Sequence, residues 1–225
     1  MTIFDPESVP VDAIAGESRL DAERQTSAWL RHRFAYPPNW QPEVMDESRF
    51  MSENHRVISA SVLIAIVEHP AGLSVVLTRR TAHLKAHAGQ ISFPGGRREA
   101  YDASPIDTAL REASEEIGLN PKQVEVLGTL PDYITGTGYR VTPVVSVIQS
   151  SLTLTPQADE VAEIFEVPLA FLMDGQSHQV RSRELSMGEY RKSARRSFYT
   201  MPYQQHFIWG ATAGIVRNLF HFLRA

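Results

Sequence analysis

The chain has 225 residues, 43% of them apolar, enough to bury a full core as one domain with extensions. Its formal charge of −4 argues against a general nucleic-acid binder, and the absence of cysteine excludes disulfides, thiol catalysis and Cys-based zinc sites. No apolar run approaches the roughly 20 residues that span a bilayer, and the early Asp5, Glu7 and Asp12 fit neither a secretory nor a transit leader, so cytoplasm is the expected compartment.

Residues 1–17 are polar and contain proline, which predicts an arm with little structure of its own. From about Leu20 to Phe34 an amphipathic helix is expected, with Trp29 and Leu30 docking on the rest of the chain. Tyr36-Pro37-Pro38-Asn39-Trp40 breaks it, and the stretch to about Arg56 reads as a linker. The expected division is an N-terminal extension over 1–56 and a main domain over 57–225.

Val57 to Val67 is β-branched and almost continuously apolar, the pattern of a strand buried on both faces. Leu73 to Thr78 follows as a second strand after the Pro70–Gly72 turn. The segment from Arg79 to Arg98 carries Arg79, Arg80, Lys85, Arg97 and Arg98 and no acid, so it can hold phosphate oxygens or be a solvated basic loop. His83 and His87 are four apart, but no helical pattern and no third ligand accompany them, which argues against a metal pair.

The next element is a helix with readable ends. Ser104 is an N-cap, Pro105 suits the first helical position, and Asp107 stands where a capping box places its acid. Gly118 suits the left-handed residue after the last turn, and Asn120-Pro121 stops continuation. Ile106, Ala109, Leu110, Ala113 and Ile117 form the apolar face, with Arg111, Glu112, Glu115 and Glu116 elsewhere on the cylinder. Like charges one turn apart cost a few tenths of a kcal/mol. Acids in the last turn lose roughly 0.3–1 kcal/mol each relative to a cation. By itself the cluster reads as a solvated acidic face with Arg111 partly offsetting Glu115; but a helix selected for stability alone would place a cation there, and Mg²⁺ or Mn²⁺ binds such oxygens.

Val124 to Leu130 and Val141 to Ile148 read as strands. The hydroxyl- and glycine-rich loop between them could place Tyr133, Tyr139 or Arg140 on a nucleotide, or be a plain connection. Val180 to Arg196 predicts a hairpin around Ser186–Glu189. Its Arg181, Arg183, Arg191, Lys192, Arg195 and Arg196 read as a charged edge in preference to a substrate or RNA contact. Phe207 to Val216 leads into a closing helix with Leu219, Phe220 and Leu223 on its apolar side, and Trp209 is expected in the core.

The segment around the acidic helix resembles the Nudix hydrolase signature, which runs glycine, five residues, an acid, seven residues, then R-E-U-x-E-E-x-G-U with U apolar. Gly96 begins it, Asp102 takes the acid position, and Arg111 to Leu119 completes it, with eight residues between Asp102 and Arg111. Upstream, Thr78 to Gly96 is similar to the T-x-R-S-x(3)-R-x(3)-G-x(3)-F-P-G-G element of the coenzyme A pyrophosphatase branch. Thr81 replaces serine there and Lys85 replaces arginine, with loss of the bidentate phosphate fork.

The resemblance implies an α/β/α sandwich around a mixed sheet. It also implies hydrolysis of a pyrophosphate linkage, with coenzyme A or an acyl-CoA as the favoured small-molecule substrate. Glu112 and Glu116 would hold Mg²⁺ or Mn²⁺, with Glu115 a further ligand or the base and the Gly96 carbonyl completing the sphere. Arg111 would orient the glutamates. Glu160 or Glu163 would supply a late acid, with Glu163 taken into the catalytic set. Arg80, Lys85, His87, Gly89, Arg97 and Arg98 would bind substrate. Whether the chain acts as a monomer or a homodimer stays open.

Overall fold

The computed structural model describes residues 4–43, 57–84, 87–185 and 194–225. The long apolar runs become the centre of a mixed sheet. β1 (Val11–Ile14) belongs to the arm and α1 (Ser27–Ala35) follows it. β2 (Ile58–His69) and β3 (Gly72–Arg80) form an antiparallel pair across the expected turn. Two short strands, β4 (Ile91–Ser92) and β5 (Gly95–Arg97), precede α2 (Pro105–Ile117). Then come β6 (Glu125–Thr129), β7 (Tyr133–Ile134), β8 (Tyr139–Gln149), β9 (Val161–Pro168) and the short α3 (Leu169–Leu172). The chain closes with β10 (Gln179–Leu185), β11 (Ala194–Tyr203), β12 (His206–Trp209) and α4 (Gly210–Arg224).

The large sheet runs β4-β3-β2-β8-β6, with β5 also on β2, β7 on β8 and β9 on β3. β8 lies parallel to β2 over its whole length, while β3, β5, β6 and β9 pair antiparallel. Alternate residues of β2 serve two cores. Leu63, Ala65 and Val67 meet Ala109, Ala113 and Ile117 of α2. Ile64 and Ile66 point to the other side, into a cluster with Leu30, Val216, Leu219 and Phe220. Burial on both faces is why the sequence shows no alternation there. The result is an α/β sandwich around a mixed sheet. No helix among the described residues is long and apolar enough to cross a membrane.

A second sheet, β1-β10-β11-β12, was only half foreseen. The hairpin is present as β10 and β11, its expected turn lying outside the described residues. The arm is more ordered than its composition suggests, because β1 adds to β10 and borrows its ladder. β1 thus covers β10 from Gln179 to Arg181, and Arg181 is not on an edge; Arg183 lies beyond that ladder, and Arg191 and Lys192 lie outside the described residues. The expected helix from Leu20 also starts later. Ala22–Gln25 is a 3₁₀ turn, and the Thr26 side chain then accepts from the Trp29 amide at 3.2 Å to begin α1.

The extension shares the main core. Leu20 and Leu30 are 4% and 0% exposed. Arg217 of α4 pairs with Glu17 and, at 3.1 Å, with Glu43, and it reaches His178 Nδ1 at 3.1 Å. Burial holds His178 down to about 4, helped by the charge of Arg217. Glu43 is held at about 2 because its contacts with His221, Tyr199 and Arg217 outweigh its desolvation.

Candidate active site

α2 begins as its caps predict. Ser104 Oγ accepts from the Asp107 amide at 3.2 Å and donates to Asp107 Oδ2 at 2.8 Å. Gly118 ends it with φ 67°. The last carbonyls are satisfied by a loop the sequence did not reveal: Thr155 donates to Ile117 O and Gln157 to Glu116 O, both at 2.9 Å. That docking brings the charge of Glu160 to bear on Glu112 and Glu116.

The glutamates are not a solvated face. Glu116 is only 4% exposed, and its carboxylate accepts from the Gly95 amide at 3.0 Å and from Arg80 at 3.3 Å. Burial pushes its pKa up to about 7, with Glu112 and Glu160 adding to the rise. Glu112 is raised for the same reasons, burial first and then Glu115 and Glu160, against the pull of Arg111. Glu115 is the open member, its side chain 58% exposed.

Arg111 organises this cluster. Its guanidinium grips Asp102 through two bonds of 3.0 Å, reaches Glu112 and Glu115 at 2.9 Å each, and donates to the Arg97 carbonyl at 3.0 Å. Asp102 is buried, held well below the usual carboxylate range by Arg111, and accepts also from the Glu99 amide and Thr108. The acid at the expanded spacing thus anchors the arginine, a role the sequence left open.

The loop before α2 is shaped to admit these carboxylates. A Cβ on Gly96 would lie 2.5 Å from the Glu112 carboxylate carbon, so the missing side chain makes room for that acid. Gly95 has φ 155°, and a Cβ there would overlap the Ser61 and Val62 backbone across the β2–β5 pair.

Among the described residues no three acidic or histidine side chains stand ready as a metal-holding group, because Arg111, Arg80 and the Gly95 amide hold the carboxylates. The donor chemistry nonetheless fits a hard divalent ion. Both carboxyls are pushed toward neutrality, first by burial and then by neighbouring acids (Glu115 and Glu160 for Glu112, Glu112 and Glu160 for Glu116), and such an ion would relieve both causes.

A cavity of about 500 Å³ opens beside Gly95 and Gly96, between the two sheets. Arg80, Arg97, Arg183 and Arg196 line it together with His87, and among the described residues no acid does. Arg97 donates to Tyr139 Oη at 2.6 Å. Gly210 to Thr212, the first turn of α4, and the rings of Phe4, Phe198 and Trp209 complete the wall.

Of the expected substrate residues, Arg80, His87 and Arg97 reach this cavity. Arg98 does not: it donates to the Asp102 and Ala103 carbonyls and pins the turn before α2. Gly89 adopts φ 70° next to the lining residue Gln90, and so serves the turn. Lys85 lies outside the described residues. Glu163 pairs with Arg79 at 3.0 Å and His206 at 3.2 Å, away from the glutamate cluster. Trp209 lines the cavity, against its expected place in the core, and Arg183 and Arg196 join it from the hairpin read as a charged edge. Their inward direction depends on a sheet whose first strand comes from the arm, and the hairpin's own pattern carries no such signal.

The NUDIX domain family model matches residues 56–185. Among curated proteins, the chain is 44% identical over 167 residues to the Uncharacterized Nudix hydrolase NudL of Pectobacterium atrosepticum, covering 73% of this chain and 82% of that one. It is 45% identical over 166 residues to the protein of the same name from Escherichia coli (strain K12), covering 74% and 82%. Among solved structures it resembles a Nudix hydrolase from M. smegmatis, RenU, at TM-score 0.45 and 29% identity, over 53% of this chain and 78% of that one. It also resembles the NUDIX domain of Shewanella oneidensis NrtR complexed with ADP ribose, at TM-score 0.40 and 23% identity, over 64% and 84%. With a family model spanning more than half its length and close relatives matched over most of theirs, the chain belongs to the Nudix hydrolases, enzymes that cleave pyrophosphate bonds in nucleoside diphosphate derivatives with divalent metal ions.

Proposed function

We propose that this chain hydrolyses the pyrophosphate linkage of coenzyme A or an acyl-CoA, releasing adenosine 3′,5′-bisphosphate and 4′-phosphopantetheine or its acyl form. The observation that carries the reading is the cavity beside Gly95 and Gly96, lined among the described residues by four arginines and no acid, which suits a substrate with several anionic groups. The Thr78–Gly96 element supports coenzyme A within that class. The rival reading is another nucleoside diphosphate derivative, such as NADH, a nucleotide sugar or a capped RNA.

In this reading Glu112 and Glu116, with the Gly96 carbonyl, would hold Mg²⁺ or Mn²⁺, which would supply Lewis-acid polarisation of the phosphoryl oxygens and a more acidic water. Arg80 and Arg97 orient the phosphates from the large sheet. Water attacks phosphorus, the bridging P–O bond breaks, and the leaving phosphate departs with the bridging oxygen. Glu115 takes the water's proton, since it is the most exposed of the three glutamates and Arg111 fixes its position from 2.9 Å. Glu160 is preferred to Glu163 as the alternative acceptor, because its charge bears on Glu112 and Glu116 while Glu163 pairs with Arg79 and His206. Arg111, anchored on Asp102, is a positioning residue.

Purified protein incubated with coenzyme A and Mn²⁺ should yield the two named products by mass spectrometry. Intact coenzyme A alongside cleaved NADH or nucleotide sugar would favour the rival.

A further inference from the structure

The arginines around the glutamates differ in what holds them. Arg79 pairs with Glu163, Arg80 with Glu116, and Arg111 with Asp102, Glu112 and Glu115. Arg97 is held instead by a neutral hydroxyl. Its Nε and Nη2 both donate to Tyr139 Oη, at 3.1 and 2.6 Å, and both residues line the cavity. Among the described residues no acid pairs with Arg97, so its charge stays uncompensated beside the place where the phosphates are expected.

Both ends of this contact are fixed to the large sheet. Arg97 of β5 pairs with Ala60 of β2, and Ala60 pairs on its other side with Val141 of β8, two residues after Tyr139. Side chains at those positions share one face, and the single methyl of Ala60 leaves room for Arg97 to reach Tyr139 across β2. The Tyr139 amide donates to Thr135 Oγ1 at 3.0 Å, and its carbonyl accepts from the Thr135 amide at 2.9 Å, so the β7–β8 turn holds the backbone under the ring. The Arg97 carbonyl accepts from Arg111 at 3.0 Å, which ties the same residue to the arginine that organises the glutamates.

A guanidinium carries five N–H donors, and Tyr139 takes one on Nε and one on Nη2. The Nη1–Nη2 edge keeps a pair of parallel donors, which matches two oxygens of a phosphoryl group. A carboxylate in place of the phenol would hold the arginine as firmly and cancel its charge. Ordering a long side chain before the ligand arrives also lowers the entropic cost of binding. We propose that Tyr139 is a positioning residue for the phosphates: it occupies one edge of Arg97 and presents the other, ordered and uncompensated, to a phosphoryl group of the substrate. The inference rests on the pyrophosphatase reading and adds to it the residue that orders the phosphate-binding arginine.

The test is a double-mutant cycle of Tyr139→Phe, Arg97→Gln and the double variant. Tyr139→Phe keeps the ring, whose centre lies 5.5 Å from the guanidinium, and removes only the hydroxyl. Calorimetry with ADP in metal-free buffer, well below the lowest melting transition, reads phosphate binding without catalysis. Arg97→Gln should weaken ADP binding about tenfold or more and Tyr139→Phe about fivefold, while the double variant should bind no more weakly than Arg97→Gln alone. With Mn²⁺ and coenzyme A, Tyr139→Phe should raise KM about fivefold, with a smaller change in kcat. Unchanged ADP affinity in Tyr139→Phe, or losses that add in the double variant, overturns the positioning role. Coupled ADP losses without cleavage of coenzyme A by wild type overturn the activity and leave the positioning role standing. Cleavage of coenzyme A at equal KM by wild type and Tyr139→Phe does the reverse.

Discussion

Glu116 combines a position legible in the sequence with an environment that was not. The R-E-x-x-E-E spacing and the two caps place it in the last turn of α2. Its helical phase put it off the apolar face. The structure buries it beneath the Gly95 amide and the Thr155–Glu160 loop, contacts separated along the chain and invisible to periodicity. Its carboxyl is pushed up to about 7 from 4.5, and the sign of the linkage follows. A carboxyl raised on folding contributes stability that is fully present below about 4.5 and lost as pH rises through about 7. At pH 8 with chelator, the charged group therefore opposes folding, partly offset by Arg80. Glu116→Gln should raise stability there by about 2 kcal/mol, fading toward pH 4.5, while turnover falls by orders of magnitude. Urea unfolding at the two pH values reads the first effect. A variant less stable than wild type at pH 8 would contradict it.

At the scale of elements, β2, β3, β8 and α2 were readable because local pattern and tertiary role agree. β5 was not, since two glycines and an arginine carry no strand pattern. It exists because β2 offers a free ladder along Ala60 to Val62. Its two glycines do different work. A Cβ on Gly95 meets backbone, whereas one on Gly96 meets only the end of the flexible Glu112 side chain. Gly96→Ala should therefore displace Glu112 and cut kcat about tenfold or more, with a melting shift of about 2 °C or less. Gly95→Ala should instead destabilise the fold by about 2 kcal/mol or more. Thermal melts paired with turnover separate the two. Equal behaviour would show that the space around Glu112 is incidental.

On the scale of the whole molecule, the acidic half of the site comes almost entirely from residues 95–116, one continuous stretch with strong local signals. The cavity opposite is assembled from Phe4, Ala60 and Val62 of β2, Arg80, residues 87–97, the β7–β8 turn with Val141, Arg183, and residues 196–215. Such long-range closure leaves no periodic trace, which is why the arm read as unstructured and Trp209 as core. The Arg217 cluster joins the same distant parts on the far side, tying Glu17 and Glu43 of the extension to α4. The claim on which the account depends is that the α2 carboxylates are crowded and buried in order to grip a divalent cation. Crystals soaked in manganese and measured for anomalous scattering test it most directly. A peak within coordinating distance of Glu112 and Glu116, with their carboxylates turned from Arg111 and Arg80, is the predicted result. An empty map, with both acids still on their arginines, would contradict it.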